Sequence, residues 1–330
     1  MGKSNGVKGV PQTRKNGFGG PKNKFRFSTS SLLNFTKDSY LERTSRPFYA
    51  VVFLLPFIIF YEIGTILLNT DLLRQSQVRV VAFVWLKNFL EYLGFTSKFA
   101  WTAPPLAVII ILLSLQLVSR KSWQVWFKDF LLMTAECITL AIPLIVLSLF
   151  LITSADKKTD AQKVSAAFGS NQNVKYEEKA QQNILQQNSI PLEAIEPLQS
   201  KQEGIKSPNS AILAEIVTGI GAGIYEELVF RLILICILMI IFSDILKLDP
   251  NQAIILSVFI SAGLFSIYHH IDFLTGRQID EFSITKFLFR TIAGVYFAVL
   301  YAIRGFGVTA GTHAFYDILA VLINVFIARG

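Results

Sequence analysis

Along this chain apolar residues gather in long blocks, and polar residues are confined to the stretches between them. The blocks run from Phe48 to Leu68, Ala100 to Val118, Phe130 to Ile152, Ile216 to Ile241, Ala253 to Ile271, Ile284 to Ile303 and Val308 to Ile327. Each is close to the roughly 20 helical residues that cross a hydrocarbon core about 30 Å thick. No ten-residue segments of alternating polarity appear, and backbone groups in lipid must be satisfied within the chain, so the blocks are read as helices. The pattern predicts an all-α fold, a polytopic membrane helix bundle of seven or eight transmembrane helices. The count is open by one because "SAILAEIVTGIGAG" (210–223) leads into a run too long for one straight span. Its glycines Gly219, Gly221 and Gly223 predict a kink or an interfacial entry helix there.

The polar stretches divide the chain. Residues 1–46 are Gly-, Asn- and Lys-rich and read as a disordered basic tail. Residues 47–153 hold the first membrane helices. Within them "VRVVAFVWLKNFLEYLGF" (78–95) mixes Arg79, Lys87 and Glu91 into an apolar pattern, which predicts an amphipathic helix at the interface. Residues 154–208 form a polar insert in which seven Lys balance seven Asp and Glu, read as a mostly disordered extracytoplasmic loop. Residues 209–330 carry the remaining membrane helices.

Composition supports the same class. Hydrophobic residues make up 52% and charged residues only 16%, against about 25% charged in a soluble domain. The net charge of +8 equals the excess within residues 1–46, where ten Lys or Arg face only Asp38 and Glu42. That excess, with Arg120 and Lys121 two spans later, predicts a multi-pass protein with a cytoplasmic N-terminus. Membrane lipids are the expected surroundings, and no nucleic-acid partner is expected, since no folded binding motif accompanies the tail. Cys137 and Cys236 both lie in apolar spans, which leaves neither a disulfide framework nor a CxxC site.

The candidate chemistry begins at "GIYEELVFR" (223–231), where Glu226, Glu227 and Arg231 interrupt an apolar run. A charge at a helix centre costs about 2.5–3.5 kcal/mol even on lenient insertion scales, so three in six residues call for a use. On a helix Glu227 and Arg231 are i and i+4, close enough in direction to pair. Glu226 points about 100° away from Glu227 and shares its face with Gly219 and Gly223. The pair reads as a helix-positioning ion pair and Glu226 as the free carboxylate. The chain has three histidines. "FSIYHH" (265–270) puts Phe265 one turn before His269, and "GTHAFYD" (311–317) puts His313 and Asp317 on one helix face. His270 cannot share a face with His269 and reads as an interfacial polar residue. Glu62, Glu136 and Glu215 read as partners of neighbouring helices or of the interface.

Two chemistries suit these groups. Glu226, His269, His313 and Asp317 offer two nitrogens and two carboxylates, a donor set for a divalent metal such as zinc. Alternatively Glu226 acts as a general base on water, with imidazoles polarising it or stabilising an oxyanion. There is no HExxH to argue zinc from spacing.

"EELVFR" (226–231), "FSIYH" (265–269) and "HAFYD" (313–317), in that order on late helices, resemble the EExxxR, FxxxH and HxxxN or HxxxD motifs of the CAAX protease and bacteriocin-processing family, which includes the type II CAAX prenyl endopeptidases. The resemblance covers about residues 210–330. It implies an intramembrane glutamate-dependent or metallo-endopeptidase acting on a membrane-associated peptide or protein. By it Glu226 and His269 would activate water, His313 and Asp317 would steady the oxyanion, and Glu227 and Arg231 would shape the site. Eukaryotic members favour Asn where this chain has Asp317. An ionised Asp cannot donate to an oxyanion, so Asp317 would have to be protonated, orient His313 or bind metal. Two other classes fit the intramembrane charges: a proton- or ion-coupled transporter, and a catalytically silent immunity or scaffold protein of the same fold.

Overall fold

Apolar runs of bilayer length close all their backbone hydrogen bonds locally when they coil. The computed structural model, which describes residues 36, 38–71, 80–95, 101–169, 208–271, 278 and 282–329, has helices over all seven blocks. In chain order they are α1 (Tyr40–Thr44), α2 (Pro47–Asp71), α3 (Val81–Tyr92), α4 (Ala103–Ser119) and α5 (Phe127–Gly169). Next, α6 (Pro208–Glu226) runs unbroken into a π-helical segment (Glu227–Leu234), then α7 (Ile235–Met239) and a second π-helical segment (Ile240–Ile245). The last two are α8 (Pro250–Tyr268) and α9 (Ile284–Arg329). Among the described residues there are no strands, only one isolated bridge between Ile271 and Gln278.

Five of these runs are long and apolar enough to cross a membrane, and α4 is a shorter apolar helix. The last run is two passes. Sixteen residues of straight helix would hold Phe297 and His313 about 24 Å apart, yet their rings stack at 4.6 Å. The chain folds back at Gly305, whose φ of 76° and ψ of 179° suit only glycine. Among the described residues, counting the two halves of α9 separately and including the shorter α4 gives seven apolar helical runs. α9 packs against α2, α5, α6 and α8 and forms the centre of the molecule.

Three expectations need correction. The glycines at 219–223 do not kink the chain, because helix continues through them. They serve close approach instead: a Cβ on Gly219 would sit 2.6 Å from Asp317 Cβ, and one on Gly223 would sit 2.6 Å from the Ala314 nitrogen. The end of the basic tail is folded. Ser39 caps α1 by accepting from the Glu42 amide, Arg43 pairs with Asp129 at 3.0 Å, and Arg46 pairs with Glu42 and Asp38. Residues 1–35 lie outside the described residues. The polar insert begins as helix, since α5 continues to Gly169 before the undescribed residues 170–207. Residues with good helix propensity, such as the Ala, Lys and Gln there, extend a helix already nucleated by the span before it.

The amphipathic segment is found as α3. It buries Ala82, Phe83 and Leu86, while Lys87 and Glu91 pair along its other side at 3.2 Å. Glu136, expected to bond a neighbour, takes two bonds from Arg304, at 2.5 and 2.8 Å, and one from Tyr40 at 2.7 Å.

Candidate active site

Three late helices bring the motif residues to one place. Glu226 is the last residue of α6, Glu227 and Arg231 lie in the π-helical segment after it, His269 caps the end of α8, and His313 and Asp317 lie in the second half of α9. π-helical turns, with their i→i+5 bonds, are rare and recur at functional sites. Glu226, Glu227 and Arg231 are at most 1% exposed, and His313 and Asp317 6%. Such burial removes these charges from bulk solvent, so their partners must be protein groups or a bound water.

Glu227 has two partners through one oxygen. Its Oε1 is 3.1 Å from Arg231 Nη1 and 2.7 Å from His313 Nδ1. The expected ion pair is present, and the same carboxylate also orients a histidine, a role the sequence did not reveal. Arg231 lies over the Phe265 ring at 4.2 Å and near Phe297 at 5.5 Å, so its charge is met by aromatic faces as well.

The histidines are oriented alike. His269 Nδ1 is 2.8 Å from the Phe265 carbonyl. A carbonyl only accepts, so Nδ1 carries the proton and Nε2 is left to accept. His269 Nε2 stands 3.8 Å from Glu226 Oε2. His313 spends Nδ1 on Glu227, and its Nε2 stands 4.0 Å from Glu226 Oε2 and 3.7 Å from Asp317 Oδ2. Glu226 Oε2 and Asp317 Oδ2 have no hydrogen-bond partner among the described residues. Separations of 3.7–4.0 Å exceed a direct hydrogen bond and suit one small polar group held between them. Glu226 Oε1, by contrast, accepts from Tyr268 at 3.4 Å.

Aromatic rings fix these orientations. Phe265 meets His269 edge-on at 4.7 Å, and Phe297 stacks on His313 at 4.6 Å and 17°. Phe265 thus supports the site twice, through its carbonyl and its ring. His270 corrects an expectation: it is 2% exposed and packs against Phe282 rather than facing the interface. Tyr268 was not singled out from the sequence, because a tyrosine in an apolar helix reads as core.

The donor types suit zinc, with two imidazole nitrogens and two carboxylate oxygens. As the side chains stand, however, no three such groups among the described residues are spaced to share one ion.

A family model described as "Type II CAAX prenyl endopeptidase Rce1-like" matches residues 208–319. That span holds Glu226, Glu227, Arg231, Phe265, His269, His313 and Asp317. No curated protein and no solved structure matches the chain.

Proposed function

We propose that this protein, whose residues 208–319 match the type II CAAX prenyl endopeptidase Rce1-like family and whose long apolar helices suit a membrane, is a membrane peptidase that hydrolyses a peptide bond with water activated by Glu226 and His269. Water between Glu226 Oε2 and His269 Nε2 gives its proton to the carboxylate as its oxygen attacks the scissile carbonyl. The new C–O bond converts the carbonyl into a tetrahedral oxyanion. His313, donating through Nε2, stabilises that charge. Glu226 returns the proton to the departing amine as the C–N bond breaks. Asp317 fits the role of steadying a positive His313 rather than donating to the oxyanion, because its Oδ2 faces His313 Nε2 at 3.7 Å.

One observation carries this reading. Both imidazoles spend Nδ1 on a fixed acceptor, the Phe265 carbonyl or Glu227, and turn Nε2 towards the unpaired oxygen of Glu226. A buried carboxylate oxygen facing two imidazole nitrogens at 3.8 and 4.0 Å is a place for a bound water or a reacting carbonyl. The substrate is a membrane-associated peptide or protein. A purified, liposome-reconstituted protein should cleave an internally quenched farnesylated Cys-a-a-X peptide, and Glu226→Gln should lower turnover by about 10²–10⁴-fold. Turnover by Glu226→Gln equal to that of the wild type would remove Glu226 as the base.

A second reading rests on the donor set. Glu226, His269, His313 and Asp317 would hold a divalent ion such as zinc if the side chains drew inwards, and the ion would supply Lewis-acid polarisation of the carbonyl. Activity that survives exhaustive chelation, with no metal found by elemental analysis of the active protein, rules this reading out.

A further inference from the structure

Glu226 has two oxygens in different surroundings, and the one turned away from the histidines is held by a residue outside the motif pattern. Tyr268 is fully buried. Its hydroxyl donates to Glu226 Oε1 at 3.4 Å and accepts from the Ala82 amide at 2.9 Å. Ala82 lies in the first turn of α3, where amides have no helical partner, and the N-cap residue Val80 supplies no side-chain acceptor. The α3 terminus therefore fixes the phenol: the amide occupies the oxygen as acceptor, and the hydroxyl proton is left for the carboxylate. The ring is wedged by Trp85 at 4.9 Å, Phe230 at 5.1 Å and His269 at 5.0 Å.

We propose that Tyr268 is a positioning residue for Glu226, locking the carboxylate through Oε1 so that Oε2 faces His269 and His313. Its anchor is the first turn of α3, a helix outside residues 208–319. The inference rests on Glu226 being the base, and it extends the working site to a helix that the family match does not include. A carboxylate freed at Oε1 can rotate about its last side-chain bond and lose its aim at the bound water, which slows the chemical step without weakening substrate binding.

Tyr268→Phe keeps the ring contacts and removes only the hydroxyl. On the farnesylated Cys-a-a-X peptide its kcat should fall about 10-fold, with KM within about twofold of the wild type. Ala82→Pro removes the amide donor at a first-turn position where proline is tolerated. It should lower kcat by less, and Tyr268→Phe combined with Ala82→Pro should be no slower than Tyr268→Phe alone. An unchanged kcat in Tyr268→Phe, or single effects that multiply in the double variant, would overturn the proposal. If Tyr268→Phe does not yield folded protein, Ala82→Pro decides alone: a lowered kcat at constant KM supports the link, and wild-type kinetics sinks it. Infrared difference spectra separate this proposal from the assignment of the base. The carboxyl band lost in Glu226→Gln should shift in Tyr268→Phe whether or not the peptide is cleaved, and a band that stays put refutes the hydrogen bond.

Discussion

His313 and Arg231, from different helices, meet on a single oxygen of Glu227, at 2.7 and 3.1 Å. One carboxylate therefore balances a buried guanidinium and holds a histidine in one orientation. Removing one partner of a buried pair strands the other, so Arg231→Ala should lower stability by about 3–5 kcal/mol. Glu227→Gln should lower turnover by about 10–100-fold, the usual effect of losing an orienting partner. The double variant Glu227→Gln, Arg231→Met removes both charges and should regain stability but not activity. Thermal unfolding in detergent, read beside peptide cleavage, checks both. Full activity in the double variant would mean that His313 does not depend on Glu227.

The glycines of α6 give a second prediction with its own control. A methyl at Gly223 meets backbone, at 2.6 Å from the Ala314 nitrogen and 2.8 Å from the Ala310 oxygen. Backbone cannot step aside, so Gly223→Ala should cost about 1–3 kcal/mol. A methyl at Gly219 meets Asp317 Cβ at 2.6 Å, an atom that moves only with its own backbone, so Gly219→Ala should cost comparable stability and, by displacing Asp317, activity as well. Gly263, also helical, has nothing within 4 Å of its would-be Cβ. Gly263→Ala should gain about 0.5–1 kcal/mol. Equal unfolding midpoints for all three variants would contradict the close approach of α6 to α9.

The fold-back at Gly305 rests on the α1 segment. Arg304 donates to Glu136, the Leu41 carbonyl, Thr44 and Ser45, and a Cβ on Gly305 would sit 3.0 Å from the Ser45 carbonyl oxygen. Because His313 lies about two turns beyond that bend, loosening it should disturb the site from a distance. Deleting residues 2–35 leaves every one of these bonds and should leave the melting temperature unchanged. Deleting residues 2–46 removes the clasp and should lower both the melting temperature and turnover. Identical behaviour of the two truncations would refute the clasp.

Much of this site could be read from the chain because its chemistry is local. The i, i+4 spacing of Glu227 and Arg231 forecast their ion pair, and burial of Glu226 among apolar neighbours marked it as functional. What could not be read is what depends on other helices. Nothing near His313 says that its Nδ1 meets Glu227, 86 residues away. Tyr268 looks like core until Ala82, 186 residues away, is seen to donate to it. The same three glycines are compatible with a kink or with close packing, and only the position of α9 decides between them. The α1 segment was hidden by the composition of the tail before it, although Asp38, Glu42 and Arg46 carry the four-residue spacing of a charged helix.

Orientation in the membrane gives the last prediction. α1 and the link between α4 and α5 share one end of the bundle. Lys121 reaches Glu42 at 3.8 Å, Arg43 pairs with Asp129, and the Trp126 amide donates to Tyr49. This end therefore gathers Arg43, Arg46, Arg120, Lys121 and Lys128, and the tail before it adds eight more Lys or Arg. Positive charge next to spans is retained in the cytoplasm, so we expect this end to be cytoplasmic and residues 170–207, one span later, to be outside. In a background of Cys137→Ala and Cys236→Ser, a cysteine introduced at the exposed Arg120 should resist an impermeant thiol reagent in intact cells and react only after lysis. One introduced at Ser170 should react in intact cells. The reverse pattern would invert the molecule and place its most basic end outside, against the charge rule.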